Sequence, residues 1–302
     1  MATRNSPFGT FDHGAQYFTQ RDSRFVDMLA SMPGCIKAWN ETVHVFDEHG
    51  RVSEPITANN QPHWTCAPRM NALPQQLAQP LVDQGMVSLE TRVIQIARQE
   101  SKGWELELEG PNGINYTKSG FDGVLLAMPA PQTLQLLAGV GEIASLKPWL
   151  SRLSSVKLAP CWTLMLSFDR NKMSNSMPLW NAARSASHSI AWLARESSKP
   201  DRGHFERWIL QASHAWSEKH FDTNKIQVHK HLMQAFSEIT GIVCEPAHVD
   251  SQRWRWAQTV TPLGESHLWH SDIGIGVCGD WCLGHRLESA FISGLELAQA
   301  AA

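Results

Sequence analysis

The sequence predicts a two-part chain, α/β in its outer stretches and α+β in the middle, where an antiparallel sheet interrupts the α/β part. Three observations carry this. Near-continuous apolar runs at 121–128 and 273–278 each end at a turn and lead into a helix, as strands inside a covered sheet do. Between them, 162–168, 190–194, 208–212 and 249–256 read as four mostly antiparallel strands, with a helix over 225–239 among them. The order is therefore loop, mixed part, sheet part, and again strand, turn and helix.

The first twenty residues carry Pro7, Gly9 and Gly14 without helical periodicity and read as loop and turn. Residues 23–32 place Phe25, Met28, Leu29 and Met32 on one helical face. The alternation at 43–46 meets His49-Gly50, which predicts a strand entering a hairpin, and the polar stretch 53–65 reads as a connecting loop. Met70, Leu73, Leu77 and Leu81 recur at helical spacing over 70–82, with Pro74 near the first turn, where a missing N–H is tolerated. Alternating strands follow at 91–97 and 104–108, then the buried strand 121–128, which Pro129 and Pro131 end before a helix through Leu134, Leu136 and Leu137. The last elements are strand 273–278, the turn Gly279-Asp280-Trp281, and a helix over 287–300.

Composition excludes several classes. With 302 residues, 42% hydrophobic and 18% charged, the chain is an ordinary globular protein able to bury a core. A net charge of −3 without a basic block argues against nucleic acid. Arg253 and Arg255 alternate with Trp254 and Trp256, the pattern of a strand with one wet face. Thirteen Trp against two Tyr suit a pocket for a flat ligand, although core filling is the weightier reading for any single one. The six Cys contain no C-x-x-C pair, and Cys278 and Cys282 lack a matching His pair, so no metal site is expected. The scattered His residues, His229 and His231 included, read as solvated surface. Apolar-flanked, scattered Cys fit reduced thiols in a cytoplasm. Neither a signal peptide nor an apolar run of ~18 residues points to export or a membrane.

A literal G-x-G-x-x-G occurs at Gly274, Gly276 and Gly279. The dinucleotide motif needs a strand before it, a helix starting within it and an acidic residue at a second strand. Here the glycines fall inside the strand, and only a helix follows, so this is not a pyrophosphate loop. The strand–turn–helix around it says more. A helix starting at Leu287, Glu288 and Ser289 offers open N–H groups and partial positive charge, suited to a diphosphate or the electron-rich end of a flavin ring. Asp280, at a strand end, is placed either to accept hydrogen bonds from a sugar-like chain or merely to cap the turn.

Several longer motifs carry a resemblance. Gly279-Asp280-Trp281-Cys282 with Arg286, Glu288, Ala290 and Ser293-Gly294, and the segment Phe11-Asp12-His13-Gly14-Ala15-Gln16-Tyr17-Phe18-Thr19, resemble bacterial renalase-like FAD-dependent oxidoreductases of the flavin amine oxidase superfamily. Thr91-Arg92-Val93, Ala127-Met128-Pro129-Ala130-Pro131-Gln132, Trp192-Leu193-Ala194-Arg195 and Ser198-Lys199-Pro200 extend it from end to end. The resemblance implies a two-domain FAD-dependent amine-oxidase-like fold, with an incomplete Rossmann-type FAD-binding domain (1–20, 66–130 and 263–302) and a substrate domain (21–65 and 131–262). It also implies residue roles. Gln16 and Tyr17 border the isoalloxazine, Val93 meets the adenine, and Ala127 and Pro129 pass close to the cofactor. Gly279 and Asp280 hold the ribityl chain, and Leu287, Glu288 and Ser289 face the pyrimidine end of the ring. Trp192, Arg195, Trp254 and Trp256 face the substrate, with a structural ion pair as the equal alternative for Arg195.

Departures from the pattern are specific. In the family, MATR follows a Gly-Gly-Arg that ends a first βαβ unit carrying the true glycine motif. The expectation is that this unit is lacking, through a misplaced start rather than a working truncation. Pro68-Arg69-Met70 stands where Pro-Gly-Met is usual, and Glu196 where Asn is frequent. The reaction implied is hydride transfer from isomeric dihydronicotinamides to flavin, with reoxidation by oxygen; the partner expected is a small-molecule substrate, with neither nucleic acid nor membrane. The transfer needs orientation more than acid–base help, and no catalytic residue is singled out. Alternatives are a flavin amine oxidase, for which no Lys stands out by its setting, and a non-catalytic remnant that does not hold FAD.

Overall fold

The computed structural model describes residues 1–39, 42–53, 61–99, 103–140, 143–173 and 177–302. Its fold is mixed α/β with several separate sheets. Two compact units emerge: Met1–Leu77 with Ala159–Ala257, and Ala78–Leu158 with Gln258–Ala302. Residues 1–20 and 66–77 thus fall in the first unit, and 131–158 in the second. Among the described residues no helix is long and apolar enough to cross a membrane.

The chain opens with a hairpin where the sequence suggested loop. β1 (Thr3–Ser6) and β2 (Gly9–Asp12) pair antiparallel, Thr3 opposite Asp12. Both strands are short and mostly polar, so no alternation announces them, and the turn uses Gly9 at φ +102°. α1 (Ser23–Ala30) begins at Asp22, whose carboxylate accepts the Arg24 N–H, and buries Phe25 and Leu29 one turn apart. β3 (Ile36–Trp39) is followed by β4 (Val43–Val45) and β5 (His63–Cys66), and β3 pairs with β5. The hairpin expected after 43–46 forms: Phe46 bridges Val52, the Ser53 N–H donates to Val45 O at 2.8 Å and the Asp47 N–H to Arg51 O at 3.2 Å, about a turn with Gly50 at φ +77°. β5 occupies the end of the loop expected over 53–65; residues 54–60 lie outside the described residues. α2 (Ala72–Asp83) carries Pro74 in its first turn, as expected, and Pro80 further along.

β6 (Arg92–Gln99), β7 (Gly103–Glu109) and β8 (Asn115–Phe121) form an antiparallel meander, and β9 (Val124–Leu126) follows. The single buried strand expected at 121–128 is therefore split. Phe121 closes β8, every residue of which is exposed, and in β9 Leu125 is 49% exposed. Hydrophobicity alone does not register the change of direction between the two strands. α3 (Ala130–Ala138) starts after Pro129, and α4 (Lys147–Ser155) follows.

β10 (Lys157–Phe168), β11 (Ala182–Arg184), β12 (Ile190–Arg195), β13 (Glu206–Ala212) and β14 (His248–Thr261) join β4 in a six-stranded sheet of order β14-β10-β13-β12-β11-β4. Its β10–β13, β13–β12 and β12–β11 pairings are antiparallel, while β11 and β4 run parallel. Residues 161–168 of β10 are all buried, as an interior strand should be. α5 (His214–Lys219) and α6 (Lys225–Thr240) lie between β13 and β14 in the chain. α6 is capped by Asn224, ends on Gly241 at φ +73°, and buries Val228, Leu232, Ala235, Phe236 and Ile239. That face packs with Leu164, Leu166, Phe168, Trp208 and Leu210; the Phe168 and Phe236 rings stack at 5.6 Å.

In the second unit, β15 (Leu268–His270), β16 (Ile275–Val277) and β9 form a small sheet, with β16 parallel to β9. The turn expected at 279–281 is the start of a four-residue helix, α7 (Asp280–Leu283), and α8 (Leu287–Ala301) closes the chain. Trp104 and Trp281 are buried in the core of this unit with Ile96, Leu126, Ile275 and Val277. The Trp104 indole donates to the Ile273 carbonyl at 2.7 Å.

Packing of α8 on the sheet leaves no room at Gly276. An added Cβ would lie 2.6 Å from Leu297 Cδ1, 3.0 Å from Leu125 Cδ2 and 3.1 Å from Trp269 Cε3. Gly276→Ala is expected to destabilise the protein by about 1–3 kcal/mol through overpacking. Urea denaturation measures it, and a loss below about 0.5 kcal/mol, the scale of an indifferent substitution, would contradict this packing.

Candidate functional site

Some of the residues singled out by the sequence meet within each unit, and others do not. In the second unit, the parallel strands β9 and β16 end side by side, with the Cys278 N–H donating to Leu126 O at 3.1 Å. Just beyond, the Met128 carbonyl accepts the Trp281 indole N–H at 2.9 Å and the Thr133 hydroxyl at 3.2 Å. The turn holding Ala127 and Pro129 is thereby stapled to α7. The Gly279 N–H donates to Ser293 Oγ at 2.9 Å, which ties the β16–α7 turn to α8. Asp280 Oδ1 accepts the Trp281 N–H at 2.9 Å within the first turn of the short helix, whose N-cap residue is Gly279 and which has no side-chain cap. Burial also pushes the Asp280 carboxyl above the usual carboxylate range.

Leu287, Glu288 and Ser289 form the first turn of α8, which starts at Arg286 without a side-chain cap. A Cβ on Gly284 would lie 3.8 Å from Ser289 Oγ, so the α7–α8 turn runs against that helix start. Ala127, Pro129, Gly279, Asp280 and the 287–289 turn therefore share one end of this unit. Val93 lies on the meander, opposite Leu108, half-buried against the same core. Hydroxyl donors suit the Asp280 carboxyl, and an acceptor with partial negative charge suits the α8 start.

In the first unit, Tyr17 stacks on His63 with ring centroids 3.9 Å apart and lies 5.3 Å from Trp192 and 6.5 Å from Trp39. Two residues named from sequence, Tyr17 and Trp192, thus meet in one aromatic group. The Trp192 Nε1 is buried with no hydrogen-bond partner among the described residues. Gln16 is buried and its amide is spent internally: Nε2 donates to the carbonyls of Asp12 and Gly14, and Oε1 accepts from Lys199 Nζ at 3.2 Å. Arg195 makes the ion pair that was one of its two readings. Its Nε and Nη2 both donate to the fully buried Glu206 carboxylate at 2.7 Å. Trp254 stacks on His13 at 5.2 Å and donates to the His13 carbonyl at 3.0 Å, away from Tyr17 in its bonding. Trp256 is half-buried on β14, between the exposed Arg255 and Ala257.

Sequence reasoning missed the most heavily charged place in the unit. Asp12, Glu196, Lys199, Arg202, Glu206 and Arg207 are all buried. Lys199 Nζ lies 2.7 Å from Glu196 Oε2 and 3.7 Å from Asp12 Oδ2. Arg202 Nη2 lies 2.7 Å from Asp12 Oδ2, and its Nε 3.2 Å from Glu196 Oε1. Arg207 donates to the carbonyls of Thr10 and Arg202. Burial raises the Asp12 carboxyl, but the charges of Lys199 and Arg202 prevail and hold it at about 2. The unusual Glu196 is thus a neutralised member of this group. Five of the six stand within residues 196–207, a density of charge between two apolar strands that was the available signal.

No family model matches the chain. Its structure is similar to the crystal structure of a protein from Exiguobacterium sp. 255-15 provisionally named protoporphyrinogen oxidase. The TM-score is 0.72 at 12% sequence identity, covering 99% of this chain and 89% of that one. Structural matches extend to 196 solved chains, so the likeness defines architecture and leaves the reaction to the residues. The shared architecture is mixed α/β with several sheets.

Two predictions follow from the first unit. Arg202→Met leaves the buried Asp12 and Glu196 with Lys199 as the cation between them and is expected to cost about 3–5 kcal/mol; a chemical-denaturation loss below about 1 kcal/mol, within the range of a surface ion pair, would contradict a buried network. The second concerns pH. Burial, then the charge of Arg4, lowers His13 from 6.5 to about 4, so the unfolded chain takes up a proton that the folded one refuses. Stability is complete above pH 6.5 and drains as pH falls to 4, and His13→Asn should flatten that slope in melts over the same window. Asp12 acts lower: its contribution is complete above its ordinary 3.8 and is lost as pH falls through about 2.

Proposed function

We propose that the chain is an FAD-dependent oxidoreductase of renalase type, which oxidises an isomeric dihydronicotinamide and passes the electrons to oxygen. The observation that carries this reading is the delivery of Gly279-Asp280 by a buried parallel strand to the side of a helix start with no side-chain cap, in a chain of flavin amine-oxidase-like fold. Bound FAD would supply the hydride acceptor and the oxygen-reactive centre. The chain would supply grip and orientation. Asp280 would accept hydrogen bonds from the ribityl hydroxyls, and the 287–289 amides would meet the pyrimidine oxygen. The turn at Ala127 and Pro129 would lie along the cofactor, and the Val93 backbone would meet the adenine. Gln16 would act through the backbone of its loop, its side chain being spent, and would set Tyr17 in place.

Tyr17 and Trp192 would offer flat walls for a planar substrate ring, with Trp254, Trp256 and the Glu206-bound Arg195 in the same unit. A dihydropyridine already donates hydride readily, so holding it in the right attitude supplies most of the advantage. No free acid–base pair is needed, and none is offered by Asp12 and Glu196, which Lys199 and Arg202 neutralise. The rival reading, a flavin amine oxidase, calls for a Lys that can hold a water. Lys199 is buried but committed to Glu196 and Gln16, which weighs against it.

The test is the visible absorption spectrum of the purified 302-residue chain before and after heat release of bound cofactor. Flavin bands near one equivalent are expected, bleached without oxygen by dihydronicotinamide isomers and untouched by primary amines. Bleaching by amines instead would select the amine oxidase, and a chain free of flavin would select a remnant that does not hold FAD.

A further inference from the structure

We propose that the first unit carries a separate small-molecule site, for a phosphorylated sugar, on the face of its six-stranded sheet turned away from Tyr17 and Trp192. The proposal goes beyond the flavin reading and does not depend on it.

The alternation along the strands separates the two faces. Leu193 and Leu210, opposite one another on β12 and β13, point into the core under α6, so their neighbours Trp192 and Gln211 point away from it. On that outer face Gln211 donates to Gly14 O at 2.8 Å, and Trp254 of β14 stacks on His13. Arg253 and Arg255 alternate with Trp254 and take the α6 face, where their Cζ atoms lie 4.6 and 4.5 Å from the Phe221 ring centroid. Arg253 Cζ also lies 5.8 Å from the Trp162 ring, which belongs to the α6 core.

Between β10, the 222–225 turn and β14 opens a cavity of about 460 Å³, within the roughly 300–1,000 Å³ of small-molecule sites. Its walls are fixed from behind. The Trp162 indole donates to His220 O at 3.0 Å, and the buried Ser251 hydroxyl lies 2.9 Å from His229 Nε2. Gln252 accepts from Arg4 at 2.6 Å and donates to Arg253 O at 3.2 Å.

Two cations line this cavity. Arg253 Nη1 donates to Phe221 O at 2.7 Å and to Asp222 Oδ1 at 3.3 Å, while its Nε and Nη2 have no hydrogen-bond partner among the described residues. Lys225 makes no hydrogen bond or ion pair among the described residues; Asp250, whose charge it feels, is engaged by Arg4 at 2.6 Å. A guanidinium already held against two rings loses little freedom when it grips an anion, and its fork matches a phosphate. The start of α6 is not the attraction, since the Gln227 and Val228 N–H groups are taken by Asn224 Oδ1 and O. The cavity is larger than a phosphate, and the rest of its wall is polar: Asp222 Oδ2 accepts and the Asn224 amide donates, the complement of sugar hydroxyls.

The full chain as purified is titrated with ribose 5-phosphate, ribose and inorganic phosphate at one ionic strength, by calorimetry and by the rise in melting temperature. Ribose 5-phosphate is expected to bind with a Kd of about 1 mM or below, at least about tenfold tighter than either of the others. Arg253→Gln and Lys225→Gln, both at exposed positions, should each weaken it about tenfold, while Lys118→Gln in the second unit leaves it unchanged. Inorganic phosphate binding as tightly as the ester would overturn the sugar assignment. Binding that survives both substitutions puts the ligand elsewhere, and a chain with neither saturable heat nor a raised melting temperature at about 10 mM has no such site; either result overturns the proposal.

Discussion

Arg202 stands where three distant stretches of chain cross. Its guanidinium reaches Asp12 at the end of β2, the Cys66 carbonyl at the end of β5 and the Pro68 carbonyl just after it, and Glu196 and the Pro200 carbonyl between β12 and β13. A buried guanidinium is costly unless its donors are met, and here backbone oxygens and two carboxylates meet them together. Removing any partner strands a charge in the interior, so these stretches hold their places jointly or not at all. Asp12 passes the constraint on, since Oδ1 also accepts the Thr3 hydroxyl at 2.7 Å and the Met70 N–H at 2.9 Å.

The aromatic group in the same unit depends on that lattice. Lys199 touches Glu196, holds the Gln16 amide and lies 5.6 Å from the Trp39 ring. Gln16 in turn closes the Asp12–Gly14 loop that leads into Tyr17. The aromatic group is therefore set by charges that never reach the surface, and its rings acquire rigidity from that buried support. Glu196, unusual against the resemblance, belongs to this support: with it come three donors, from Asp12, Lys199 and Arg202.

What could be read beforehand was whatever repeats along the chain. α1, α6, α8 and the strands around Leu164, Leu193 and Leu210 show their apolar period, and all form near the expected bounds. The β1–β2 hairpin has no period to show, being built from Thr, Arg, Asn and a glycine turn. At Phe121–Leu126 hydrophobicity was present but direction was not, so two strands with different partners looked like one. The grouping in the second unit was traceable because Gly279, Asp280 and the 287–289 turn are close in sequence. The charge cluster was not, because Asp12 lies 184 residues from Glu196, and charges in a loop ordinarily signal solvent.

The thiols carry a separate consequence. Five of the six cysteines are buried, and only Cys244, shortly after α6, is partly open. A maleimide probe added to the native protein would therefore attach at one address without any engineering. On unfolding, Cys35, Cys66 and Cys161 open with the first unit and Cys278 and Cys282 with the second. The pattern of modified peptides would then report which half of the molecule lets go first.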